Sequence, residues 1–269
     1  PEGDTIYRAA VSLHQAMHNK VILEATSSQE SCRCDRLVGS RVRSVEARGK
    51  HLLVHLSSGG VIHSHMGMRG SWHVLHLDSE RLAHAHLRLA LGPQHMGVPE
   101  VQVACFTPKL LEVLSRDAFR RHPWLAKLGP DLLCPTLDEA EALRRFRAHA
   151  HRAIGEAVMN QGIVSGIGNV YKSEILFLEG VHPTTPVHAL SDAQLGSLLT
   201  RSRKLMQRNL EGYPRQTRYG LDGSKKWVYG RAGQRCLKCG TPIELTRQGD
   251  LGRTTYWCPT CQVQASPTQ

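Results

Sequence analysis

The sequence predicts an α+β chain of several domains: a β-rich N-terminal part, an all-helical middle and a C-terminal zinc ribbon. Three observations predict it. Between residues 42 and 106 several runs have the composition and alternation of strands. From 136 to 210 the apolar residues recur at helical spacing. Near the C-terminus, Cys236-x-x-Cys239 is followed after eighteen residues by Cys258-x-x-Cys261, the spacing of two metal-binding knuckles. At 269 residues, 41% of them hydrophobic, the chain is long enough for two domains and a small third.

Residues 4–18 carry the first element, a helix with Ile6, Ala9, Ala10, Leu13 and Met17 on one stripe. Strands are expected from Val42 to Glu46 and at "HLLVHL" (51–56). "SSGG" (57–60) turns the chain and "VIHSHM" (61–66) returns, which makes a hairpin. "HLRLAL" (86–91) and "VQVACF" (101–106) add two strands. A helix followed by this much strand implies a sandwich or a barrel. Around 107–115 the period turns helical. "TLDEAEALRRFRAHA" (136–150) opens with Thr136 and Glu139, a capping box. "EAVMNQGIVSGIGNVYKSEILF" (156–177) reads as helix, glycine-rich turn, helix. "SDAQLGSLLTRSRKLMQRNL" (191–210) opens with a second capping box, Ser191 and Gln194. "GYPRQTRYGLDGSKK" (212–226) reads as a mobile polar linker. "PIEL" and "RTTYW" are the two strands of the ribbon.

The formal net charge is +11. Residues 201–269 hold 13 Lys and Arg against 4 Asp and Glu, a net of +9, so the basic footprint lies mostly in the last quarter. A polyanionic partner, nucleic acid first, fits this balance. A solvated basic surface is the ordinary alternative. No run approaches 18 apolar residues, so no membrane span is expected. No basic region followed by an apolar run opens the chain, so no export signal is expected, and the cysteines are expected to be reduced thiols in the cytosol.

Five groups of residues carry candidate chemistry. The chain opens on Pro1, followed at once by Glu2. An N-terminal proline is a secondary amine; α-amino groups titrate near about 8, so part of it is neutral at cellular pH. Beside an acid it can serve as a nucleophile with a proton donor attached. Ordinary removal of a start methionine explains the same residues without chemistry. The four ribbon cysteines fill a tetrahedral zinc site completely, so that zinc is structural. Arg253, near the tip of the ribbon hairpin, is then presented rigidly. "SGIGNVYKSE" places glycines before a helix, where backbone N–H groups converge on an anion. Asn169 adds a donor and Lys172 a charge. It is not a dinucleotide fingerprint, because Tyr171 stands where the third glycine belongs, and no nucleotide cofactor is expected. Lys50 precedes a strand, ordinarily as a surface lysine. Met68 and Arg69 sit between glycines at a strand end, where an apolar and a basic side chain can fill the space left by an extruded base. A core contact is the ordinary reading of Met68. The histidine pairs 63/65, 84/86 and 149/151 show no third ligand and read as surface or packed residues.

These pieces together resemble the bacterial Fpg/Nei DNA glycosylases, and within them the endonuclease VIII (Nei) branch. The resemblance rests on "PEGD", "ARGKHL", "QGIVSGIGNVYKSEILFLEGVHP", "VYGRAGQRC" and "GRTTYWCPTCQ", and covers nearly the whole chain. It implies an N-terminal β-sandwich with flanking helices (1–125), a helix–two-turn–helix domain (126–225) and a C-terminal zinc ribbon (226–269). It implies a DNA glycosylase with abasic-site lyase activity in which Pro1 forms a Schiff base and β,δ-elimination cuts the strand. Glu2 matches the general acid/base and Lys50 the catalytic-domain lysine. Asn169 and Arg253 match residues that pinch the phosphates flanking the flipped nucleotide. "VMNQ" replaces the family's frequent "LLDQ", with Asn160 in place of the acid. No Arg and Phe follow "VQVACF" as in the purine-lesion branch, which leaves Met68 and Arg69 as the wedge and favours oxidised pyrimidines. A bacterial, cytoplasmic, nucleoid-associated monomer acting on damaged double-stranded DNA with one structural zinc follows. A non-catalytic nucleic-acid-binding module and a lyase restricted to abasic sites are the competing readings; a pure binder needs neither Pro1 nor Glu2.

Overall fold

A computed structural model describes residues 1–30, 32–94, 97–212 and 214–263. The chain divides into two compact units, the first made of Pro1 with Thr5–Lys127 and the second of Glu2–Asp4 with Leu128–Gln269.

Helix α1 (Gly3–Met17) leads into the strands of the first unit: β1 (Val21–Ser27), β2 (Val42–Arg48), β3 (His51–Leu56), β4 (Val61–His65), β5 (Ser71–Leu75), β6 (Leu87–Gly92), β7 (Val101–Phe106) and β8 (Leu110–Leu114). They form two antiparallel four-stranded sheets, ordered β1-β6-β7-β5 and β2-β3-β4-β8. Ile22, Leu89 and Val103 from one sheet meet Val54, Ile62 and Leu111 from the other in a shared core, and Ile6, Leu13 and Met17 of α1 join it. The fold of this unit is therefore a sandwich.

Residues 107–115 depart from the sequence expectation. Leu110–Leu114 is a strand, paired with β4 so that His63 faces Glu112. "LLEVL" is too short for its apolar spacing to separate helix from strand, and the hydrogen-bonding edge offered by β4 decides. Strands β1 and β5 were also not foreseen; β1 alternates burial only after its first two residues.

The second unit holds α3 (Glu139–Arg147), α4 (Ile154–Ala157), α5 (Asn169–Leu178), α6 (Asp192–Arg208), β9 (Glu244–Gln248) and β10 (Arg253–Trp257); in the first unit α2 (Arg116–Arg120) follows β8. The Ser191/Gln194 capping box forms in full. The Thr136/Glu139 box does not: Asp138 caps α3, its side chain accepting the Glu141 amide at 2.9 Å. A cap nearer the first apolar turn prevails, and Asp is at least as good a cap as Thr. Phe146, Ile163, Tyr171, Ile175, Leu198 and Met206 build the helical core. Phe177 of α5 joins Val228, Cys236, Ile243 and Cys258 in a smaller core under the ribbon.

Residues 212–226 are not simply a linker. The Thr217 hydroxyl donates to the buried Glu174 carboxylate, and Asn209 brackets Gln216 with two hydrogen bonds. Glu174 also accepts the amides of Trp227, Val228 and Tyr229, each at 2.8 Å. A polar composition conceals such anchoring because the partners lie far away in sequence. Among the described residues, no helix is long and apolar enough to cross a membrane.

Candidate active site

The glycine-rich turn before α5 binds an anion, and that anion is the protein's own. The Glu2 carboxylate accepts the Gly168 and Val170 amides at 2.8 Å and the Tyr171 amide at 3.3 Å. These are N–H groups that the first turn of a helix leaves without internal partners. Glu2 is 6% exposed. A β-carbon on Gly168 would lie 2.3 Å from Cγ and Cδ of Glu2, so only glycine leaves room for the carboxylate. Close approach accounts for the glycine of "PEGD": the Gly3 amide donates to the Gly166 carbonyl at 2.9 Å, and a β-carbon on Gly3 would lie 2.7 Å from Cε of Met206 and 3.0 Å from the Gly166 α-carbon.

Asp4 and Arg215 stand beside this cradle, and sequence reasoning missed both. Asp4 is fully buried. It takes the Tyr171 hydroxyl at 3.0 Å, Arg215 Nε at 2.7 Å, and a second, shorter bond from Arg215 Nη2. Arg215 Nη1 lies 3.5 Å from Oε1 of Glu2. Burial works against the Arg215 charge, but the hydrogen bonds to Asp4 and the charge of Glu2 more than restore it. Burial and Asp4 push the Tyr171 hydroxyl up. Asp4, one residue past "PEG", was the available signal.

On the same helix, Asn169 Nδ2 donates to Oγ1 of Thr254 at 3.0 Å, and Lys172 Nζ donates to the Thr254 carbonyl at 3.1 Å. Arg253, the residue before Thr254, is exposed at the start of β10. The structure thus brings Asn169 and Arg253 to neighbouring parts of the second unit. Lys172 is turned inward, 1% exposed, where sequence reasoning placed it at an anion. Burial, then the charge of Arg253, lowers it to about 8, partly offset by Glu2 and Glu156. Its donor braces the ribbon hairpin.

In the first unit, Lys50 immediately precedes β3, whose first residue, His51, pairs with His65 of β4. Burial first, then the charges of Lys109, Lys50, His63 and the N-terminal amine, lowers His65 to about 4. Lys109 was not foreseen; it stands one residue before β8, whose pairing with β4 sequence did not reveal. Met68 and Arg69 occupy the turn between β4 and β5. Gly70 bonds back to the Met66 carbonyl at 2.9 Å, and a β-carbon there would lie 2.4 Å from that oxygen. The tight turn lifts Met68 into solvent, 85% exposed, so it is no core contact. Only residues 107–109 link β7 to β8, too few for an additional loop.

The outer face of the β2-β3-β4-β8 sheet holds a buried histidine network. His63 does have further partners, contrary to the sequence reading: Glu112 from β8 and His122 lie within ligand reach of it. The tautomers decide what this group is. His122 Nδ1 accepts the Leu125 amide at 3.3 Å, so its proton sits on Nε2 and points to Glu112 at 3.0 Å. His63 gives its Nδ1 proton to the same carboxylate oxygen at 2.8 Å and receives His51 Nδ1 at 2.8 Å. Every donor runs toward Glu112, and a metal at His122 would set an N–H against the Leu125 N–H. The group is a proton-filled polar network. Burial, then the neighbouring histidines, lowers His51 to about 3. An unfolded histidine titrates near about 6.5, so the unfolded chain binds more protons below that pH. The stability this neutral histidine contributes is complete above about pH 6.5 and is lost as pH falls toward 3. Urea titrations should show a loss on the order of 1–2 kcal/mol between pH 6.5 and 5 from His51 alone. His51→Gln should flatten that slope, and an unchanged slope would sink the assignment.

The four ribbon thiols fit one zinc ion. Cys236 and Cys261 sulfurs are 3.9 Å apart and those of Cys239 and Cys258 3.4 Å. A tetrahedral site with Zn–S bonds of about 2.3 Å needs roughly 3.8 Å. β9 and β10 pair between the knuckles, with Arg253 opposite Gln248 at the turn end.

Three family models match this chain. The formamidopyrimidine-DNA glycosylase N-terminal domain matches residues 1–103, the H2TH domain of the same glycosylase residues 128–218, and the zinc finger found in FPG and IleRS residues 233–263. A probable endonuclease 8 2 from Streptomyces coelicolor is 39% identical over 99% of this chain and 95% of its own length. A DNA-(apurinic or apyrimidinic site) lyase Nei2 from Mycolicibacterium smegmatis is 34% identical over 97% of this chain and 98% of its own. Among solved structures, the formamidopyrimidine-DNA glycosylase of Lactococcus lactis, bound non-covalently to DNA containing an AP site, shares the fold. Its TM-score is 0.82 over 98% of this chain and 100% of that one, at 22% identity.

Proposed function

Since this chain belongs to the formamidopyrimidine-DNA glycosylase/endonuclease 8 family, we propose that it is a base-excision-repair DNA glycosylase with abasic-site lyase activity, acting on oxidised bases and preferring pyrimidines. The observation that carries the reading is Glu2, the residue after Pro1, held by three amides in a cradle that admits only glycine at 168.

The chemistry assigned to each residue is as follows. The neutral Pro1 nitrogen attacks C1′ of the damaged nucleotide. Glu2 protonates the sugar ring oxygen as the ring opens. The base departs, and the nitrogen and C1′ form a Schiff base. Its iminium withdraws electrons and acidifies the C2′ proton. β-Elimination expels the 3′ phosphate and δ-elimination the 5′ phosphate. Lys50 holds phosphate near the lesion. Asn169 and Arg253 hold flanking phosphates, a role that drawing phosphates together in bent DNA demands. Met68, with Arg69, enters the stack, and the 107–109 connection supports the pyrimidine preference. Zinc, when bound to the four cysteines, supplies the cross-link that a module this small needs to fold. A monomer in the bacterial cytoplasm suffices for these steps. We divide the chain for function at 1–125, 126–225 and 226–269.

The reading is tested with duplexes carrying an oxidised pyrimidine or an abasic site, with borohydride present. Cleavage and a trapped adduct on both are expected. Cleavage of the abasic duplex alone would favour the restricted lyase, which the name of the Mycolicibacterium relative makes the second reading. Binding without an adduct would leave a binding module. Cys258→Ser should lose the zinc, loosen the hairpin that presents Arg253 and weaken DNA binding. Full activity from a zinc-free variant would show the ribbon to be dispensable.

A further inference from the structure

We propose that Arg215, aimed by Asp4, is a positioning residue for Glu2 that presents one guanidinium edge to the carboxylate and holds it in place for the reaction. This rests on the reading of Glu2 as the general acid.

The geometry is a competition of two carboxylates for one cation. Asp4 takes the two donors that lie along one edge of the guanidinium, Nε and Nη2. That leaves Nη1 toward Glu2, 3.5 Å from Oε1. The guanidinium carbon stands 5.0 Å from the centre of the Tyr171 ring, and the Tyr171 hydroxyl donates to Asp4. The Arg215 side chain is 17% exposed and that of Asp4 is fully buried. Solvent therefore screens this pair poorly. Asp4 and Arg215 act together as a dipole whose positive end faces the carboxylate.

Among the described residues, other charged and titratable groups also act on Glu2 or feel its charge. Lys172 from α5, Tyr171, and Tyr229 from the segment that follows residue 226 feel its charge. The Pro1 amine is its neighbour in the chain. Lys172 already gives its donor to Thr254. The three amides on Glu2 belong to the backbone at the start of α5 and stay in place when side chains change. Arg215 is the cation placed directly on the carboxylate, and it reaches Glu2 from a stretch tied down at Asn209 and Thr217. Glu2 must be able to hold a proton and release it. The acid limb of the rate profile reports protonation of the groups that carry the reaction, and a charge set beside Glu2 acts on that limb.

The signs follow. A neighbouring cation favours a carboxylate's charged form, and a neighbouring anion disfavours it. Arg215→Gln removes the cation and leaves Asp4, so protonation becomes easier and the acid limb moves to higher pH. Asp4→Asn removes the anion and leaves Arg215, so the limb moves to lower pH. Arg215→Lys keeps the charge and should stay nearer the native limb than Arg215→Gln does. A merely structural role has no reason to give shifts of opposite sign.

The experiment is single-turnover base release from an oxidised-pyrimidine duplex between about pH 3.5 and 9, low enough to follow an acid limb set by a carboxylate. It uses the native protein, the three variants and Glu2→Gln, with thermal melting of each and borohydride trapping on an abasic duplex. Arg215→Gln is expected to move the acid limb up by about one pH unit or more, and Asp4→Asn to move it down. If both variants leave the limb in place, or move it the same way, the inference is overturned. If the native protein traps no adduct, or Glu2→Gln releases base at the native rate, the reading of Pro1 and Glu2 fails first. If Arg215→Gln does not fold, the direction of the Asp4→Asn shift decides alone.

Discussion

Placing a methionine before Pro1 should reduce the borohydride-trapped adduct to background while duplex binding persists. The block turns a secondary amine into a tertiary amide nitrogen, which has no available lone pair and cannot form an iminium. Native protein whose first residue is verified as Pro1 by mass spectrometry is the reference. Two other amines deserve mapping. The charge of Lys50 acts on His65, as that of the N-terminal amine does, and Lys172 is lowered to about 8, so a fraction is neutral at working pH. Proteolysis of the trapped complex should place the adduct on Pro1. An adduct on either lysine, or normal turnover by the blocked protein, would remove Pro1 from its assigned role.

Gly168→Ala should lower base release by about 10²- to 10⁴-fold, the usual worth of a positioned general acid or base. The new β-carbon would lie 2.3 Å from Cγ and Cδ of Glu2 and 2.7 Å from Oε1. Those atoms are at the end of a flexible side chain, so Glu2 would swing away rather than the helix break. Gly168 has φ of −119° and ψ of −161°, which alanine adopts freely. Stability should therefore fall by only about 1 kcal/mol, as expected for alanine at a helix N-cap. Single-turnover kinetics beside a thermal melt separates the two effects. Near-native release from the alanine variant would show that the cradle is not needed.

Sequence and structure agree most closely where chemistry and spacing coincide. The ribbon was legible because four cysteines have few alternative uses and a fixed spacing. The Ser191/Gln194 cap was legible because both partners lie within one turn. Residues 110–114 were misread because a five-residue apolar run fits either period until a neighbouring strand claims it. The glycine turn was read as an anion site, but the anion in it lies 166 residues away in sequence, at Glu2. Lys172 was read as a charge at that anion, yet its ammonium donates to a carbonyl of β10 instead. Arg215 was passed over inside a polar stretch because its partner Asp4 is 211 residues distant.

The sequence by itself determined a strand-rich first part, a helical middle, the four zinc-ligand positions and the candidate nucleophile with its acid. Local periodicity, cap pairs and ligand spacing act over a few residues, and their physics is complete within them. Only the tertiary structure decided which anion fills the α5 cradle and which way Lys172 points. It alone decided that Asp4 and Arg215 flank Glu2 and that His51, His63, His122 and Glu112 share their protons. Those outcomes depend on contacts closed across long stretches of chain, where burial leaves each polar group to find a partner or lose the free energy of its hydration.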